Sequence, residues 1–135
     1  MAIFDVMGPI MIGPSSSHTA GAAKIGYLAR RVYGRPVERV HITLYNSFAE
    51  TGLGHGTDKA ILGGLLGLRV DDPRIRQSYT LARQQGVVFA FEQAIDPDKH
   101  PNCAVVQFTD ADGGRPFTVE GISVGGGSVK IVAIN

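Results

Sequence analysis

A chain of 135 residues, 44% hydrophobic and 19% charged, is sized and composed for one globular core. Thirteen basic residues against twelve acidic ones leave a net charge of +1 with no basic stripe, which excludes nucleic acid or an anionic membrane as the natural partner. No apolar run approaches the roughly 20 residues of a membrane span, and the opening MAIFDVMGPIMIG lacks a basic start and is broken by Asp5, Gly8 and Pro9, so it is no signal peptide and a cytoplasmic protein is expected.

Taken in chain order, residues 14–18 open a helix that runs to about Tyr33, with Ile25, Leu28, Ala29 and Val32 spaced at the helical period. Gly21 and Gly26 lower its propensity and mark close backbone approaches, and Gly34 and Pro36 end it. Residues 39–46 alternate, Val40, Ile42 and Leu44 facing one way and His41, Thr43 and Tyr45 the other, as a half-buried strand does. A glycine-rich connection (Gly52, Gly54, Gly56) leads to a second helix over about Thr57–Leu68. Asp72-Pro73 opens a third, largely solvated helix that closes at Gly86. Val87–Glu92, Cys103–Thr109, Phe117–Val124 and Ser128–Ile134 then read as strands, with turns at Asp112-Gly113-Gly114 and Gly125-Gly126-Gly127. Helices early and strands late predict an α+β fold: about three helices packed on a mostly antiparallel sheet of about five strands, in a single domain.

The densest chemistry lies in Gly13-Pro14-Ser15-Ser16-Ser17-His18-Thr19. A helix start has unpartnered N–H groups and a partial positive charge, and one serine suffices to cap it. Four hydroxyls and an imidazole exceed capping and suit a small carboxylate-bearing ligand. His18, titrating near about 6.5 when unperturbed, is suited to proton transfer near neutral pH. In His55-Gly56-Thr57-Asp58-Lys59, flanking glycines allow close backbone approach, Thr57 or Asp58 can cap the next helix, and Lys59 is a cation in a first helical turn, where it is misplaced unless it serves an anion. His100-Pro101-Asn102 reads as a structural turn, Gly125–Gly127 as a tight reversal, and His41 as a solvated side chain; Asn46, Ser47, Glu50 and Thr51 carry no assigned role. A Ser-His-Asp hydrolase is rejected because no G-x-S-x-G elbow is present. Zinc on His18, His55 and His100 ranks low because no local pair of ligands supports it. Cys103 stands alone, which precludes an internal disulfide and a thiolate-built metal site.

GPSSSHTAG (Gly13–Gly21), HGTDKA (His55–Ala60), HPN (His100–Asn102) and VGGGS (Val124–Ser128) together resemble the β domain of bacterial iron–sulfur L-serine dehydratases, across nearly the whole chain. The resemblance implies deamination of L-serine to pyruvate and ammonia. It also implies a [4Fe-4S] cluster that acts as Lewis acid on the departing hydroxyl; with one cysteine here, the cluster belongs to a partner α subunit or domain and none is bound by this chain. On that reading His18 and His55 are the catalytic candidates, and Ser15, Ser16, Ser17, Thr19 and Lys59 bind substrate. The isolated chain is expected to be inactive, self-association is left open by its strand edges, and an ACT-type regulatory domain is expected to follow Asn135. The competing reading is a regulatory domain that binds L-serine allosterically without chemistry, like a related domain of some phosphoglycerate dehydrogenases.

Overall fold

In β1 (Arg39–Asn46) the alternation of the sequence becomes a two-faced strand: Val40, Ile42 and Leu44 are buried, while His41, Thr43 and Tyr45 are partly exposed on the other side. The computed structural model describes residues 17–50, 54, 56–110, 113–125 and 128–135, and of Ser17 and His18 only the backbone. Around β1 lie β2 (Val88–Ala94), β3 (Asn102–Thr109), β4 (Phe117–Gly125) and β5 (Ser128–Ile134), in the order β2-β1-β3-β4-β5. β1 and β2 are parallel and every other pair is antiparallel. Register sets Ile42 beside Val106 and Val106 beside Val119, a row of fully buried side chains across three strands. The α+β fold with a mostly antiparallel five-stranded sheet is therefore the one the chain adopts.

The helices are α1 (Ser17–Tyr33), α2 (Ser47–Glu50), α3 (Thr57–Leu65) and α4 (Ser78–Gln84). α1 buries a face of small residues, Ala22, Ala23 and Ala29 around Ile25, whereas Val32, expected on that face, is exposed. Small residues are required because α1 and α3 touch backbone to backbone. A Cβ added at Gly26 would collide with the Ile61 carbonyl, and one at Gly64 would meet the Ala23 carbonyl oxygen and lie 2.6 Å from Tyr27 N. Contacts advance together along both helices, Thr19 with Gly56, Gly26 with Ile61 and Arg30 with Gly67, so α1 and α3 run parallel.

Three departures from the sequence expectation have local causes. α3 stops at Leu65 rather than Leu68 because Gly67 turns left-handed (φ 93°). Leu68 N then donates to the Gly63 carbonyl and Gly67 N to the Gly64 carbonyl, a two-bond helix stop. The third helix begins at the expected Asp72 cap, whose carboxylate accepts from Arg74 N, but winds as a 3₁₀ turn over Pro73–Gln77 before α4. Three residues per turn place Ile75 and Ser78 on one line beneath Gly63, and the Ser78 hydroxyl donates to the Lys59 carbonyl (2.8 Å). α2 has no signal in the sequence because four residues carry no periodicity; it buries Phe48 and Ala49. β3 and β4 pair antiparallel around the expected reversal, and β5 follows β4 with Gly125 opposite Ser128; Asp112, Gly126 and Gly127 lie outside the described residues.

Candidate functional site

Because α1 and α3 are parallel and in contact, their N-terminal ends open side by side. Thr19, in the first turn of α1, is 8% exposed, and a Cβ on Gly56, the residue that caps α3, would lie 3.2 Å from its Cγ2. Two aligned helix starts add their partial positive charges on one spot, an arrangement that favours an anion. No acidic residue occupies the first turn of α1.

The first turn of α3 does contain an acid, Asp58, and its carboxylate is consumed internally. It is 3% exposed and accepts from the Tyr79 hydroxyl (2.6 Å), Lys59 N (2.8 Å) and Gly54 N (3.4 Å). Burial, and then the Asp58 carboxylate, push the Tyr79 phenol well above its ordinary value, so it remains a donor. The expected side-chain cap by Thr57 or Asp58 is corrected: the N-cap is Gly56, left-handed at φ 101°, and Asp58 works from inside the turn by taking the N–H of Lys59. Lys59 is partly buried, and among the described residues its ammonium has no ion-pair partner.

The sheet brings further motif residues to the same end. Gly21 of α1 lies against Ser123 near the end of β4, its added Cβ 2.7 Å from Ser123 Cβ. Asn46 ends β1 opposite Asn102, which begins β3. The His100-Pro101-Asn102 segment is fastened there: Ser47 N donates to the Pro101 carbonyl (2.8 Å), and Asn102 N donates to His100 Nδ1 (2.9 Å). Asn102 Oδ1 is buried and has no hydrogen-bond partner among the described residues. An open cleft of about 490 Å³ beside this segment is lined by Asn46, Ala49, Glu50 and Ile95, with Glu50 as its charged group, which disfavours a carboxylate there.

Of the residues singled out from sequence, Thr19 and Lys59 are thus placed at the paired helix starts. Ser17 and His18 form the first residues of α1, their side chains undescribed, and Ser15, Ser16 and His55 lie outside the described residues. Asn46 has no role legible in the sequence and Asp58 reads as a cap, because the Tyr79 hydroxyl and the Asp96 carbonyl they engage lie 21 and 50 positions away.

An iron–sulfur cluster does not fit this chain's own donors. Cys103 is the sole cysteine, fully buried, and its thiol donates to Glu120 Oε2 (3.4 Å), which Lys99 also contacts (3.2 Å). Burial first, and then the Glu120 carboxylate, push the thiol up to about 12. Among the described residues no three His, Cys, Asp or Glu side chains converge as metal ligands, and no helix is long and apolar enough to cross a membrane.

Helices packed on a five-stranded mixed sheet, two of them starting side by side at one end, define an α+β domain. More specifically, the chain belongs to the serine dehydratase beta chain family, whose model matches residues 2–132. It is 47% identical over 134 residues to the probable L-serine dehydratase, beta chain, of Bacillus subtilis (strain 168), which covers 99% of this chain and 60% of that protein. It is 46% identical over 133 residues to the L-serine dehydratase, beta chain, of Peptoniphilus asaccharolyticus, covering 98% and 60%. With the L-serine dehydratase of Streptomyces coelicolor the identity is 34% over 155 residues, covering 96% of this chain and 33% of that protein. The chain thus spans about 60% of the length of the two beta chains it matches.

Proposed function

We propose that this chain is the β component of an iron–sulfur-dependent L-serine dehydratase, contributing one wall of the substrate cleft while a partner α part holds the [4Fe-4S] cluster and completes it. The observation that carries this reading is the closeness of Thr19 to Gly56, which sets the first turn of α1 beside the cap of α3 in a member of this family. The substrate carboxylate accepts from the α1 and α3 N–H groups and from Ser15, Ser16, Ser17 and Thr19, with Lys59 adding positive charge. His18 and His55 stand nearest in sequence to those contacts and move the proton at serine Cα or steady the carboxylate. Loss of water gives an aminoacrylate, which hydrolyses to pyruvate and ammonia.

The test is the enzyme reconstituted from this protein and an α chain, with and without His18→Ala. Loss of turnover at saturating L-serine supports the reading. An intact maximal rate with altered cooperativity overturns it in favour of a regulatory L-serine-binding domain. The chain alone is expected to yield no pyruvate from L-serine.

A further inference from the structure

Asn46 ends β1 in a conformation that side chains rarely adopt. Its φ of 58° is the one left-handed non-glycine value among the described residues. That turn aims its amide into the 96–102 segment, 50 or more positions away in sequence. Nδ2 donates to the carbonyls of Asp96 (3.0 Å), His100 (3.1 Å) and Lys99 (3.3 Å), and Oδ1 accepts from Asp96 N (2.9 Å). One side chain therefore fixes both ends of the turn that presents His100-Pro101-Asn102.

Two consequences follow for that tripeptide. With its carbonyl held by Asn46 and its Nδ1 accepting the N–H of Asn102, His100 is the neutral tautomer whose proton sits on Nε2, a hydrogen-bond donor of defined direction. Asn102 shares the helix-side row of β3 with Ala104 and Val106, opposite Asn46 and Leu44, and its Oδ1 is buried without a donor among the described residues. A buried carbonyl left without a donor is costly, and it persists where a ligand supplies the missing N–H or O–H. The fold thus supplies an acceptor and a fixed donor at the same end as the helix starts.

We propose that Asn46 is a positioning residue: it holds the 96–102 turn so that His100 Nε2 donates to, and Asn102 Oδ1 accepts from, the polar groups of an α-amino acid bound at the helix starts. The acceptor suits an ammonium or hydroxyl, which complements the anion-seeking helix ends. This rests on the amino-acid substrate proposed above.

The substitutions Asn46→Gly and Asn46→Asp separate the side chain from its backbone. Glycine adopts the left-handed angle freely but has no amide; aspartate keeps an acceptor for Asp96 N and loses the three donations. In this chain, imidazole ¹⁵N shifts of His100, assigned with His100→Ala, are expected to report the Nε2–H tautomer and to move to a tautomer mixture in Asn46→Gly, or in Asn46→Asp should the glycine variant not fold. In the reconstituted enzyme, kcat/KM is expected to fall at least tenfold in Asn46→Gly and in His100→Ala, and no further in the double variant, because both act through one group. A merely structural Asn46 would lower the melting temperature and add its loss to that of His100→Ala; that additivity overturns the proposal. An Nδ1–H tautomer in the wild type, or one unmoved by either Asn46 variant, overturns it as well. The tautomer measurement needs no turnover, so a wild-type assembly inactive on L-serine would overturn the dehydratase reading alone.

Discussion

At one end of the sheet Tyr33 stacks on Phe108 (4.2 Å between ring centres, planes 8° apart), with Phe117 5.6 Å from Tyr33, and the Tyr33 hydroxyl donates to an Asp110 that also binds Arg35. At the other end a left-handed asparagine clamps a turn, a left-handed glycine caps α3, and a buried asparagine oxygen lacks a partner among the described residues. The first end closes on itself with aromatic area and a satisfied polar rim. The second retains strain and an unmet acceptor, which a fold tolerates where something binds. Substitutions at the first end should therefore lower stability without touching recognition, while those of unpartnered polar groups at the second should weaken recognition more than stability.

The helix seam that joins both ends should give the largest effect. In Gly64→Val a side chain meets the backbone of α1, so a loss above about 4 kcal/mol is expected, near the whole stability of a small domain; a cooperative urea transition like that of the wild type would break the assigned contact. Phe108→Ala should cost about 3–5 kcal/mol by removing the centre of the aromatic end, and a cost below about 1 kcal/mol would show that this end is not where stability resides. Tyr79→Phe, which takes the phenolic donor from Asp58, should cost about 1–3 kcal/mol, read in the same denaturant titration.

Cys103 supplies a pH-dependent comparison. Its folded thiol titrates at about 12, whereas in the unfolded chain it ionises near about 8.5. Above that lower value the unfolded state binds fewer protons than the folded one, so stability present below about pH 8.5 declines as pH rises toward the folded value. A thiol reagent at pH 8 should accordingly label Cys103 only after unfolding; rapid labelling of the native chain would contradict its buried bond to Glu120. The smallest effect on stability belongs to Lys59→Gln, within about 0.5 kcal/mol and in the stabilising direction, while KM for L-serine in the reconstituted enzyme rises. An unchanged KM would remove Lys59 from the site.

Much of the scaffold could be read directly from residue order. The alternation in β1, the Asp72 cap and the two turns of the C-terminal strands are local signals, and Gly21 and Gly26 did mark close approaches, to Ser123 and to α3. That α1 and α3 run parallel was not legible, because it depends on where the β1–β2 crossover lays α3. Asp58 resembled a cap, yet its burial comes from Tyr79, 21 positions on. Asn46 resembled an ordinary loop asparagine, and His100-Pro101-Asn102 an ordinary turn; the bonds that fasten one to the other span about 50 residues. Site chemistry in this chain is long-range, and composition and periodicity report short-range order.

Backbone touching backbone at Gly26 and Gly64 has a mechanical result. With no side-chain cushion between them, sliding or rolling either helix drives backbone against backbone, so the pair is expected to shift as a single two-pronged fork.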